Sequence, residues 1–162
     1  SKAAEALMAA DPTLDALIPA GGGGDPLLGA VAAVERAGKV KDIAVVSTDF
    51  LPDLGERLQN GSMAGQSGGH YCDPLYAFLL VYNAVKGNYK DFEGKFVDLV
   101  FPYLFVSSPA DYGDYDKYFE QSLPYNADEI KALANMSIEE LQAAANKLSI
   151  DDAAARAQAN AK

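Results

Sequence analysis

Apolar residues recur at helical spacing over 26–37 (PLLGAVAAVERA), 52–59 and 74–86 (PLYAFLLVYNAVK), and each segment runs into a glycine: Gly38, Gly61 and Gly87. Glycine just past an apolar-periodic stretch is a helix stop, because it takes the left-handed conformation without a steric penalty. Between these helices lie short runs that read as strands: 14–20 (LDALIPA), 42–47 (DIAVVS), 62–67 (SMAGQS) and 96–101 (FVDLVF). The β-branched run 42–47 fits a buried parallel strand. The run 62–67 is weak and is assigned mainly from the rhythm. Strands alternating with helices at this spacing predict βαβ units. The expected fold class is α/β, a parallel sheet flanked by helices and joined by right-handed crossovers.

The pattern changes after 101. Residues 101–119 are rich in tyrosine and aspartate and are broken by Pro102 and Pro109, which predicts an irregular connection with a short helix. Three helix starts follow. Asn126 precedes Glu129, Ser137 precedes Glu140 and Ser149 precedes Asp152, each with the three-residue spacing of a capping box. The expected organisation is an α/β ligand-binding lobe over 1–107 and a connection with C-terminal helices over 108–162. Residues 2–10 also read as helix, an opening expected of a chain that begins mid-protein.

Composition narrows the function classes. The chain has 162 residues, 49% of them hydrophobic, and a net charge of −10. Such a length allows a sizeable core, and such a charge repels nucleic acid and anionic membranes. Nucleic acid is therefore not an expected partner. Cys72 is the one cysteine, so no internal disulfide can form. No apolar run approaches the roughly 18 residues that span a bilayer.

The candidate chemistry gathers at strand ends. Asp25, Asp49 and Asp73 each follow a predicted strand or its turn, and Asp25-Pro26 and Asp73-Pro74 open helices. In a parallel sheet all three fall at the carboxyl edge, where open α/β sheets bind ligands. Gly21 to Gly24 before Asp25 suggest a phosphate cradle, but the spacing lacks a lysine–serine or lysine–threonine pair, and Asp25 would repel the phosphate. Asp25 is expected to cap its helix, with Pro26 at the first position, and to face the cleft. Asp49 can accept two hydroxyl protons. Phe50 and Tyr71 are candidate rings for stacking on a ligand, and His70 is a candidate polar contact. His70-x-Cys72 alone is weak evidence for a metal or a nucleophile. Asp111, Asp114, Asp116 and Glu120 do not match a calcium loop and read as a solvated surface. No cofactor is implied, and no catalytic residue is assigned.

These residues carry a resemblance. The run 14–87 resembles the second lobe of a type I periplasmic sugar-binding protein, a family shared with lactose-repressor-like effector domains. The matching segments are Asp25-Pro26-Leu27-Leu28-Gly29-Ala30, Glu35-Arg36-Ala37-Gly38, the strand from Ile43 to Asp49, and the short helix from Leu54 to Gly61. By that resemblance Asp25 and Asp49 fall where family members bind sugar hydroxyls. The chain departs from the pattern at Gly24, where asparagine is frequent, and at Gly69-His70, where a glutamine is common and His70 would take its place.

The resemblance implies a Rossmann-like three-layer lobe, a sugar or polyol as ligand, and closure of two lobes around it without covalent chemistry. It further implies a missing first lobe, the membrane permease of an ABC importer as partner, and an exported, periplasmic or extracellular location. The alternative on the same fold is the effector-binding domain of a transcriptional regulator. An enzyme of the doubly wound class would need a nucleophile or cofactor motif that the sequence does not display.

Overall fold

The computed structural model describes residues 2–20, 24–68, 73–89 and 97–161, with the side chain of Asp73 outside the description. In chain order the elements are α1 (Lys2–Ala10), β1 (Ala16–Leu17), α2 (Asp25–Arg36), β2 (Ala44–Thr48), α3 (Leu54–Asn60), β3 (Gly65–Gly68), α4 (Asp73–Val85) and β4 (Leu104–Val106). Then come α5 (Pro109–Tyr115), a π-helical turn (Asp116–Glu120), α6 (Ala127–Leu133), α7 (Ile138–Lys147) and α8 (Ile150–Asn160). The fold is α/β. The chain forms two compact units, Ser1–Gly68 with Leu104–Asp114, and Gly69–Tyr103 with Tyr115–Lys162.

The first unit holds a mixed sheet of order β1-β2-β3-β4. The first three strands are parallel, as the alternation predicts, and β4 runs antiparallel to β3. Register sorts the two faces. Leu17 lies beside Val45, Ser47 beside Gln66, and Gln66 beside Val106, so these side chains share one face. All five are buried. On the other face Ala44, Thr48 and Phe105 are exposed. Strands in sequential order with right-handed crossovers put α2 and α3 on the same side. Burial alternates along β2 in step with the two faces.

The helix α2 shows why the sequence folds this way locally. Leu27, Ala30, Val31 and Val34 recur at helical spacing and are all buried. Gly24 takes the cap position, Asp25 is the first helical residue and Pro26 the second. The expectation that Asp25 caps the helix is therefore corrected: no side chain caps it. An acid in the first turn still complements the positive end of the helix dipole. At the other end the Lys39 N–H donates to Val34 O at 3.1 Å and the Gly38 N–H to Glu35 O at 3.0 Å. With Gly38 at φ 67 this is a Schellman stop.

In the second unit α4 turns Tyr76, Leu79 and Asn83 inward. The Tyr76 ring meets Phe101 and Tyr125 edge-on, at 5.0 and 6.3 Å, and its hydroxyl lies 2.7 Å from that of Tyr125. The helix stops at Gly87, φ 74, as its sequence predicts. The capping boxes of α6 and α7 form in full, while Ser149 caps α8 by accepting from the Asp152 N–H without the reciprocal bond.

The strand expected over 96–101 is corrected. Residues 97–101 are not a strand, and the fourth strand lies further on, at Leu104–Val106. The reason is visible at Val100. Its N–H donates to Gln142 Oε1 at 2.9 Å, and its carbonyl accepts from Gln142 Nε2 at 2.7 Å. A side-chain amide thus satisfies the backbone groups that a neighbouring strand would otherwise pair.

Candidate functional site

The carboxyl ends of β1, β2 and β3 lie at one edge of the first unit. Leu17 pairs in register with Val45, and Thr48 with Ser67, so the three strand ends stand side by side. Asp49 is the residue after β2 and Asp25 opens α2 after β1. Both are exposed, and Phe50 is half-buried. The structure thus brings Asp25, Asp49 and Phe50 to the edge where the sequence placed them. His70 and Tyr71 follow β3 in sequence but lie outside the described residues, as does Cys72.

Asp49 is the one non-glycine among the described residues with positive φ, at 64. Aspartate tolerates this left-handed region better than most residues. The turn is held from several sides. The Asp49 N–H donates to Ser67 O at 2.7 Å, extending the pairing of β2 with β3 by one residue. The side chain of Gln66, fully buried, donates through Nε2 to Asp49 O at 2.5 Å and accepts through Oε1 from the Leu51 N–H at 2.9 Å. Phe50 lies against Gly68, where a Cβ would stand 3.2 Å from the ring and 3.4 Å from the Asp49 Cα. Gly68 is therefore the residue that lets the ring settle on the strand end.

A second tie joins β2 to the segment that leaves β1. The buried Ser47 hydroxyl donates toward Pro19 O at 3.2 Å and Thr48 O at 3.3 Å. This fixes Pro19, two residues beyond the end of β1, to β2. The side chains presented here are two carboxylates and an aromatic ring. Carboxylates accept hydrogen bonds from hydroxyl groups, and a ring face accepts an apolar surface.

An open groove of about 480 Å³ lies between α1, β1 and the start of α2, lined by Leu7, Leu17, Ile18, Pro19 and Pro26 among others. It is apolar, and neither Asp25 nor Asp49 lines it. Among the described residues no group of three or more histidine, cysteine or acidic side chains stands close enough to hold a metal ion. No helix formed by these residues is long and apolar enough to cross a membrane.

Sequence reasoning missed Gln66. Its signal was an amide within a short run assigned as strand. In an inner strand such a side chain is buried or at a sheet end, and a buried amide must find partners.

No protein-family model matches the chain, and no curated protein matches it. Among solved structures it is similar to GanP, a glucose-galactose binding protein from Geobacillus stearothermophilus, with 20% identity and a TM-score of 0.46. The likeness covers 68% of this chain, which spans only 37% of that protein. So slight a likeness carries no functional argument.

Proposed function

We propose that this chain captures a sugar or related polyol at the carboxyl edge of its sheet, as part of the solute-binding component of an ABC importer. The observation that carries the ligand reading is the Asp49–Phe50 turn. An exposed carboxylate is fixed in the left-handed region beside a half-exposed ring, and the neighbouring parallel strand leads to a second exposed carboxylate, Asp25. Asp25 and Asp49 would orient the ligand hydroxyls, Phe50 would cover an apolar ring face, and His70 and Tyr71, which follow β3 in sequence, would add contacts. The importer part rests on the resemblance of 14–87 to a periplasmic lobe. It brings with it a first lobe as the opposite wall, a membrane permease as partner, and an exported location.

One wall alone leaves a face of the ligand wet, so affinity is expected to be weak. The test is saturation-transfer NMR with D-glucose, D-galactose, D-ribose and myo-inositol, which needs no protein fluorophore in a chain that has no tryptophan. Transfer to at least one sugar, weakened about tenfold or more by Asp25→Asn and by Asp49→Asn, is the expected result. Transfer to none of the four, or equal transfer to wild type and both variants, overturns the assignment.

A further inference from the structure

We propose that Gln66 is a positioning residue for this site: its buried amide holds Asp49 in the left-handed conformation and thereby aims the carboxylate and the Phe50 ring. The inference rests on the proposed ligand site for its function, and on geometry for its mechanism.

Gln66 lies on β3 between β2 and β4, with none of its surface exposed. A glutamine so placed has one carbonyl acceptor and two N–H donors to satisfy. The carbonyl takes the Leu51 N–H and the NH2 group gives to Asp49 O. Among the described residues both side-chain bonds therefore go to the two ends of one three-residue turn, and they clamp Phe50 between them. Neither goes to the strands on either side. An apolar residue of the same volume would fill the space as well, but would leave the Asp49 carbonyl and the Leu51 N–H without this partner. The left-handed Asp49 costs free energy that its surroundings must offset. With the amide gone, the Asp49 N–H bond to Ser67 O and the packing of Phe50 on Gly68 remain, but the Asp49 carbonyl and the Leu51 N–H lose their shared anchor, so the balance shifts toward negative φ and the carboxylate swings to another direction.

Two variants separate positioning from packing. Gln66→Leu removes both bonds. Gln66→Glu keeps an acceptor for the Leu51 N–H, but as a carboxylate it cannot donate to Asp49 O; when protonated it can. Burial raises the pKa of such a carboxyl, so the switch falls in an accessible range. The readouts are the Asp49 Cα and Cβ chemical shifts, which report its backbone conformation, and hydrogen exchange at the Leu51 amide measured against that of Val45.

In Gln66→Leu, the left-handed signature of Asp49 should disappear, and the Leu51 amide should exchange about tenfold faster or more while Val45 stays protected. In Gln66→Glu, the signature should be present near pH 5 and lost near pH 8, with no such change in wild type. Transfer to the sugars D-glucose, D-galactose, D-ribose and myo-inositol should follow the same pH profile in that variant. Should Gln66→Leu fail to fold, the pH profile of Gln66→Glu decides alone.

An Asp49 signature unchanged by Gln66→Leu, or independent of pH in Gln66→Glu, overturns the proposal whatever the sugars do. An Asp49 signature that responds as expected in a chain that binds none of the four sugars keeps the positioning role and removes the ligand reading.

Discussion

Asp49 concentrates the local conflict in this molecule. A left-handed conformation costs most L-residues about 1–2 kcal/mol, and a residue branched at Cβ suffers more than aspartate does. At φ 64 the backbone asks for glycine, yet the chain supplies an acid. If the side chain is there for a ligand and not for the fold, its removal should separate stability from binding. Asp49→Gly, which removes the left-handed penalty but enlarges the unfolded ensemble, is expected to stay more stable than Asp49→Val by about 1–2 kcal/mol. Both should abolish sugar transfer. Equal stability of the two variants would show that the turn is not left-handed in solution. Asp49 was legible in the sequence because it ends a β-branched run. The device that holds it was not, because nothing local marks which backbone groups a buried glutamine will reach from a residue 15 or 17 positions away.

Elements were legible where hydrophobic period and stop signals agreed. The helices α2, α3 and α4 end at glycines that adopt positive φ at Gly38, Gly61 and Gly87. The strand expected over 96–101 had the apolar and aromatic composition of one, but its Val100 is paired with a side chain of α7. Pattern alone does not tell a strand from an extended segment whose partner is an amide. Packing between elements was equally invisible. Gly55 in α3 looks like a weak point, since alanine is the better helix former by about 1 kcal/mol. A Cβ there would stand 2.6 Å from two atoms of the Tyr112 ring in α5. Overpacking typically costs about 1–3 kcal/mol, so the clash should outweigh the propensity gain. Gly55→Ala is expected to lower the urea midpoint, and adding Tyr112→Ala should recover part of the loss of Gly55→Ala measured alone. A stabilised Gly55→Ala would mean that the ring moves aside freely.

The closure of α8 on α6 gives a prediction in pH. Arg156 pairs with Asp152 at 2.9 Å and Glu129 at 3.2 Å, and its guanidinium lies 4.3 Å from the centre of the Tyr125 ring. Burial pushes the Glu129 carboxyl up, but the Asn126 N–H and the Arg156 guanidinium outweigh it and leave it below the ordinary glutamate value. A carboxyl lowered in the folded state contributes stability that is full above its unfolded value of about 4.3 and is lost as pH falls through the folded value. Exchange protection in the second unit should therefore hold constant from neutral pH down to about 5 and weaken below about 4.3. Glu129→Gln should flatten that acid branch. An identical branch in the variant would assign the acid sensitivity to other carboxylates.

At the scale of the whole molecule the excess of acids poses a question that the edge alone leaves open. The chain has 23 acidic and 13 basic residues, for a net charge of −10. A negative field and two exposed carboxylates suit hydroxyl donors, but they would also attract a cation. The two ligand classes differ in how salt acts on them. A neutral polyol is held by hydrogen bonds at contact distance, so mobile ions hardly change its affinity. A cationic ligand also gains from the long-range field, which is screened within about 10 Å at 0.1 M ionic strength. The same screening relieves repulsion among the acids and should raise the melting temperature of the free protein as salt increases. The expected outcome is thus a pair of opposite responses: between about 10 and 200 mM sodium chloride the melting temperature rises, while sugar transfer at a fixed temperature stays constant. Spermidine, titrated in parallel as the cationic control, should bind weakly if at all and lose that binding with salt. Salt-sensitive binding of spermidine tighter than that of any sugar would reassign Asp25 and Asp49 from hydroxyl acceptors to counter-ions, with the fold and the Gln66 turn unchanged.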